Sequence, residues 1–303
     1  MRFSTHYMYQ HNIDSITKSM ATGNTIQAHL AAGQTLLTPS DNPAGASQAV
    51  ALQNTLASMS QYDTARSYAE DTLGQEDNTL SSIQSILTGS LSEKIIAGGN
   101  GAYSDQDRQS LATELKGIRG SLRELGNSCD SNGRYIFAGY KTGNAPFADD
   151  GSYVGGDTPL TQQVSDNVEM QVGHTGQQLF MSGTSDDLLS AIDKAIDALN
   201  KPITSEDERQ ALKDTLDSVN NSVKKNIDHI GKIQSEVGCN LQQLDSLSFS
   251  SDAQKINVTA RLQQAIGSDS DTQISQSKIA AFALTSSMTV FQAMQQISIF
   301  NFK

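Results

Sequence analysis

The side chains able to do chemistry are few and scattered. The histidines are His6, His11, His29, His174 and His229. None has HExxH spacing, and none has a cysteine at zinc-ligand spacing. His6 and His11 lie five apart and share no helix face well, so the histidines read as surface or interface residues. Cys129 and Cys239 are too few for a secreted disulfide scaffold and read as two incidental thiols. A single bridge is the alternative, since each lies near an expected helix. Gly98-Gly99-Asn100-Gly101 and Gly155-Gly156 lack both the phosphate-loop Lys-Ser/Thr and the GxGxxG order, so they read as loops. Asp149-Asp150 and Asp186-Asp187 suit a turn and a helix N-terminus at least as well as a cation. Ser40, Asp41 and Cys129 have no base nearby in sequence that would make a nucleophile. These residues point to no enzyme, no cofactor and no metal site.

The 303 residues carry a net charge of −12, which argues against a nucleic-acid or anionic-membrane partner. The charge is unevenly placed. Residues 1–40 hold only Arg2, Asp14 and Lys18, and residues 261–303 hold only Arg261, Asp269, Asp271, Lys278 and Lys303. Nearly neutral ends on an acidic body suit close packing of chain against chain. The opening Met1-Arg2-Phe3-Ser4-Thr5 starts no apolar signal region, so no cleaved secretory signal is expected. The uncharged run Ile279–Phe300 holds Thr285, Ser286, Ser287, Thr289, Gln292 and Gln295, too polar a set for a membrane span.

The elements that must position any function are mostly helices. Residues 3–37 predict a weak helix with a stripe through Tyr9, Ile13, Ile16 and Met20, interrupted by Gly23 and Gly33. Leu37-Thr38-Pro39-Ser40-Asp41-Asn42-Pro43-Ala44-Gly45-Ala46 is a turn, with Asn42 placed to cap a helix whose first residue is Pro43. That helix continues through Leu52, Leu56, Ala69, Leu73, Leu80 and Ile83, with a break near Gly89 and an end at Gly98-Gly99. Ser104 with Asp107 reads as a capping pair for a helix along Leu111, Leu115, Ile118, Leu122 and Leu125, stopped by Gly126. Arg134–Gly139, Ser152–Val154, Gln162–Val164 and Val168–Val172 read as short strands, with a hairpin-type Asp150-Gly151.

Helices resume at Leu189–Leu199, stopped by Pro202. A long one starts at Thr204 or Ser205 and runs on to Leu247, with a polar lapse at Gln234 and a continuation through Val258, Leu262 and Ile266. After Gly267-Ser268-Asp269 comes a last thin stripe: Ala281, Leu284, Met288, Phe291 and Met294. The expected fold is mainly α: an elongated antiparallel helical bundle from both chain halves, with a small β-rich insert and coiled-coil-forming terminal segments. Its expected parts are an N-terminal assembly helix (1–42), two body halves (43–130 and 183–267), a β-rich outer domain (131–182) and a C-terminal assembly helix (268–303). The terminal stripes have two readings, an intramolecular core or a subunit interface. Their low charge, extreme position and weak self-stability favour the interface.

Three stretches resemble the flagellin superfamily. They are the opening Met1-Arg2-Phe3-Ser4-Thr5 with the stripe behind it, the Leu37–Ala46 turn, and Gly133-Arg134-Tyr135-Ile136-Phe137-Ala138-Gly139-Tyr140-Lys141-Thr142 with Pro146-Phe147. The resemblance spans the whole chain. It implies a structural protein of the bacterial flagellum without enzyme activity or cofactor. Export would run through the flagellar type III apparatus without signal cleavage, to an extracellular ring-like homo-oligomer. The short insert and the opening residues set the chain with the hook–filament junction branch, with filament flagellin as the alternative. A type III needle-tip or translocator protein is a more distant alternative. The resemblance also implies another hook-associated protein and flagellin as neighbours, and a cytoplasmic export chaperone on the C-terminal segment. The assembly interface is expected at Tyr9, Ile13, Ile16, Met20, Leu284, Met288, Phe291 and Met294, and the linker at Pro39, Ser40, Asp41, Asn42, Pro43 and Gly45.

Overall fold

The computed structural model describes residues 5–267 and 269–296, with side-chain surroundings for 7–267, 269 and 271–293. The opening Met1–Ser4, Ser268 and the stretch 297–303 lie outside the described residues. The helices are α1 (Thr5–Ala32), α2 (Pro43–Ile86), α3 (Ser92–Gly98), α4 (Asp105–Gly126), α5 (Gly176–Phe180), α6 (Leu188–Asn200), α7 (Glu206–Ile266) and α8 (Ser270–Gln296). A two-stranded antiparallel sheet, β1 (Thr161–Ser165) with β2 (Val168–Gln171), lies between α4 and α5. The fold is mainly α, a helical bundle with a small β insert. It divides into two compact units, residues 59–251 and residues 1–58 with 252–303.

Within 59–251 the periodic leucines and isoleucines do what their spacing dictates. Leu73, Leu80, Ile83, Leu87 and Leu91 are fully buried, and so are Val223, Ile230 and Val237 of α7. The apparent lapse at Gln234 is no gap. Ile233 fills the core position, and Gln234 donates from its side-chain amide to Ser81 Oγ at 3.1 Å. Arg66 reaches Ser248 at 3.2 Å, so α2 and α7 run antiparallel here. The break expected near Gly89 is one π-helical turn, Leu87–Leu91. The wider turn keeps both leucines in the core, and Ser92 Oγ donates to the Leu87 carbonyl at 2.6 Å. Gly98 ends α3 where a Cβ would lie 3.1–3.3 Å from Leu199, Leu111 and Leu216. Only glycine lets the three neighbours pack this closely.

The caps follow the sequence. Ser104 and Asp107 form a reciprocal capping box on α4. Ser205 and Glu208 cap α7, with the Glu208 carboxylate accepting from the Thr204 and Ser205 amides at 2.6 and 3.0 Å. Asp187 caps α6, and Lys201 closes it before Pro202. These boxes satisfy N–H groups that a helix start leaves without carbonyl partners.

The insert holds less strand than its alternation predicted. Only 161–165 and 168–171 pair as strands. Arg134–Gly139 and Ser152–Val154 contribute isolated bridges, Cys129 with Tyr135 and Phe147 with Tyr153. The reason is local backbone: Gly133, Gly139 and Gly151 take φ of +76°, +58° and +88°, which turns the chain before a ladder can form. Its polar groups pair across turns instead, as in Ile136 N–H to Ser128 O at 3.0 Å and Val154 N–H to Pro146 O at 2.8 Å. Phe137, Phe147 and Phe180 are buried beneath them.

A polar knot fastens the insert to the helices of this unit. Glu76 of α2 is fully buried, and its carboxylate meets His174 Nδ1 at 2.8 Å and accepts from the His174 amide at 3.2 Å. The other ring nitrogen faces Glu236 of α7 at 3.3 Å. Burial disfavours the charged imidazole, but the hydrogen bond and charge of Glu76, aided by Glu236, outweigh it and raise the His174 pKa above its ordinary value. Arg66, also buried, donates to the Val164 carbonyl at 3.0 Å and pairs with Asp63.

The other unit has a small apolar core of its own. Ala49 and Leu52 at the start of α2 pack with Leu262 near the end of α7, flanked by Leu36, Leu56, Val258 and Ile266. Its remaining mass is the pair α1 and α8.

Candidate assembly interface

Helices α1 and α8 lie antiparallel. Gly33, at φ +66°, stops α1, and the chain crosses to the end of α7 through Thr35 N–H to Ile266 O at 2.9 Å and a bridge between Gln34 and Gly267. Asp269 then opens α8, its carboxylate accepting from the Thr272 hydroxyl at 2.6 Å and the Asp271 amide at 3.1 Å. At the far end the Tyr9 and Phe291 rings stand 5.1 Å apart.

The seam between the two helices keeps alternating steps of four and three. On α1 it runs through Asn12, Ile16, Ser19, Gly23 and Ile26, and on α8 through Gln273, Ser277, Ala280, Leu284, Ser287 and Phe291. That is coiled-coil spacing, but much of the filling is small or polar. Among the described residues no α1 side chain is fully buried, and Gln273 is the buried one on α8. A seam this thin removes little apolar surface from water, so each helix owes little of its order to its partner in the same chain.

The expected interface residues divide accordingly. Ile16, Leu284 and Phe291 lie in the seam, half-buried. Tyr9, Ile13, Met20 and Met288 are exposed, Met20 at 48%. Met294 belongs to α8, but its side chain lies outside the described residues. The structure adds exposed apolar residues that a single stripe could not include: Tyr7, Met8, Ile274, Ile279, Phe282 and Val290. Phe282 is 75% exposed and Ile279 65%. A second line on α8 through Ile279, Phe282 and Val290 was the available signal. By contrast, Ile96, Tyr140, Val154 and Phe249 are the large apolar side chains exposed in unit 59–251, among the described residues. Exposed apolar surface is thus concentrated at the terminal pair, where the described charges are only Asp14, Lys18, Asp271 and Lys278.

The linker is held by its own polar side chains. The Asp41 carboxylate accepts from the Thr38 and Leu37 amides at 2.8 and 3.0 Å, and Thr38 Oγ1 lies 2.7 Å from Ser40 Oγ. The Thr38 contacts lead in lowering the Asp41 pKa, followed by Leu37. Asn42 caps α2 through its side-chain carbonyl, which accepts from Gly45 N–H at 3.0 Å; Pro43 follows as the first helical residue. A Cβ on Gly45 would stand 2.7 Å from the Asn42 amide nitrogen, so a larger residue there would have to shift the capping side chain. Pro39 and Ser40 are exposed.

Among the described residues no His, Cys, Asp or Glu group could hold a metal ion. Cys129 and Cys239 are free thiols, so the single-bridge alternative is set aside. No helix among the described residues is long and apolar enough to cross a membrane.

Residues 3–142 match the family described as the bacterial flagellin N-terminal helical region. The chain is 37% identical to flagellar hook-associated protein 3 of Escherichia coli (strain K12), across 99% of both chains. It belongs to the hook-associated protein 3 family of flagellar proteins. The Salmonella typhimurium (strain LT2) counterpart is 36% identical, again over 99% of each. Among solved structures, a putative flagellar hook-associated protein from Vibrio parahaemolyticus superposes with a TM-score of 0.67 at 25% identity. That match covers 75% of this chain and all of that one. The protein is therefore a structural, flagellin-like component of the bacterial flagellum and not an enzyme.

Proposed function

We propose that the chain forms the junction between flagellar hook and filament, and that its terminal helix pair is the surface through which copies assemble. One observation carries this: large apolar side chains crowd the outside of α1 and α8, while their shared seam is thin and partly polar. Such a pair is costly to leave in water and gains most when neighbours cover it. Ordering each residue costs roughly 1–2 kcal/mol, which the seam alone recovers poorly. The pair then stays loose during export through the flagellar type III apparatus and becomes ordered at the growing end. The assembly parts are residues 1–42 and 268–303, and 131–182 form the outer domain.

Another hook-associated protein and flagellin are the expected neighbours in the extracellular structure, and an export chaperone covers the C-terminal segment before secretion. The relatives' names and the resemblance of the linker and opening residues support this reading. Electron microscopy of cells lacking the protein tests it. Hooks without filaments, with flagellin lost to the medium, are expected. Normal filaments on such cells would refute the junction role.

A further inference from the structure

His174 faces two carboxylates at once. Its Nδ1 meets Glu76 of α2 at 2.8 Å, and its Nε2 faces Glu236 of α7 at 3.3 Å. A carboxylate oxygen only accepts, so each ring nitrogen must carry a proton to bond both, and only the imidazolium has two N–H groups. His174 lines a cleft of about 460 Å³ between the insert and α7, whose other titratable walls are Glu169 of β2 and Glu236 and Cys239 of α7. Among the described residues no lysine or arginine lines this cleft. Glu169 is engaged by the Thr161 hydroxyl at 2.6 Å, which leaves Glu76 and Glu236 as the charges acting on the ring.

The two arms are unequal. Glu76 is fully buried and accepts from both the ring and the main-chain N–H of His174, so releasing it would strand a buried carboxylate. The Glu236 side chain is 68% exposed and loses little by turning to water. A neutral ring therefore keeps its single proton on Nδ1, toward Glu76, and presents a lone pair to Glu236. We infer that His174 is a proton-operated clasp: charged, it ties the insert to α7 through Glu236; neutral, it releases that arm and holds the insert to α2 alone. The raised His174 pKa agrees, since the charged form then predominates at the ordinary histidine value of 6.5 and is lost as pH rises through the higher folded value. The other ties from α7 to the insert do not toggle. Asn240 donates to the Gln171 carbonyl at 3.2 Å, and His229 Nε2 lies 2.7 Å from the Gln178 carbonyl, which a single N–H satisfies in either charge state. Opening the clasp thus loosens the cleft side of the insert without unfolding it.

The test follows the His174 ring nitrogens of the full chain by NMR as pH rises through and above 6.5. The His174 signals are those missing from His174→Ala. The comparison variant is Glu236→Ala, at an exposed position of a helix that alanine favours. Two protonated nitrogens at low pH, a neutral form with its proton on Nδ1, and a lower midpoint in Glu236→Ala are expected. Amide exchange over residues 168–175, compared between the two chains at the same pH, should be slower in the wild type below its midpoint and equal above it. A ring that stays neutral throughout, a neutral form protonated at Nε2, or an unchanged midpoint in Glu236→Ala would overturn the clasp. So would an exchange difference that is absent or does not change with pH.

Discussion

Removing His174 should show how the insert is fastened to its helices. The perturbation is His174→Ala. Glu76 is fully buried, and one of its oxygens already lacks a hydrogen-bond partner. Losing the imidazole strips the other oxygen of its 2.8 Å partner and leaves only the main-chain N–H at 3.2 Å. Breaking a buried pair from one side costs about 3–5 kcal/mol. The surviving amide contact places this case near the lower end. For a unit the size of 59–251, about 3 kcal/mol lowers the melting temperature by about 6–12 °C.

The double variant Glu76→Leu with His174→Ala should recover much of that loss. A leucine at 76 continues the buried line of Leu73 and Leu80, and no orphaned carboxyl remains. The pH dependence follows from the raised pKa. A group bound more tightly to its proton in the folded state stabilises fully below its unfolded value of 6.5, and loses that contribution as pH rises through the higher folded value. Melting followed by circular dichroism should therefore fall as pH rises above the unfolded value of 6.5 in the wild type, and fall less in His174→Ala. Equal melting of wild type and His174→Ala, or a double variant no more stable than the single, would refute the reasoning.

Phe291→Asp should leave the melting of unit 59–251 unchanged but block incorporation into flagella, because a carboxylate in the seam must be desolvated when copies pack around it; motility and circular dichroism check this, and loss of the body's cooperative melting would count against it. Limited proteolysis of the free chain should remove α1 and α8 first and leave a resistant core near residues 59–251; equal protection of the terminal helices would indicate an ordinary intramolecular pair. Asp41→Ala should raise amide exchange at Leu37 and Thr38, whose N–H groups lose their acceptor, without altering the core.

The helices were legible where the sequence is strictly periodic and capped. Ser104 with Asp107, the start at Thr204 or Ser205, and Asn42 before Pro43 mark their helix starts because caps act within four residues. The insert was harder to read. Alternating residues at Arg134–Gly139 looked like a strand, yet glycines at positive φ turned the chain and its polar groups found partners across loops. Whether a strand forms depends on what lies beside it, and single-chain alternation does not contain that.

By itself the sequence determined that the chain is mainly helical, that its ends are nearly neutral on an acidic body, and that no catalytic constellation is present. Those properties follow from residue type and spacing. Tertiary structure decided which face of each terminal helix meets its partner. The stripe through Tyr9, Ile13, Ile16 and Met20 is a sound helical line, but only Ile16 is half-buried in the seam; Ile13 and Met20 are exposed, and Tyr9 is exposed apart from its ring contact with Phe291. Small residues such as Ser19, Gly23, Ala280 and Ser287 let the backbones approach, so the seam turned toward them and left the large apolar side chains outside. Hydrophobic periodicity identifies surface that has to be covered; only the packed fold shows how much of it the chain covers itself.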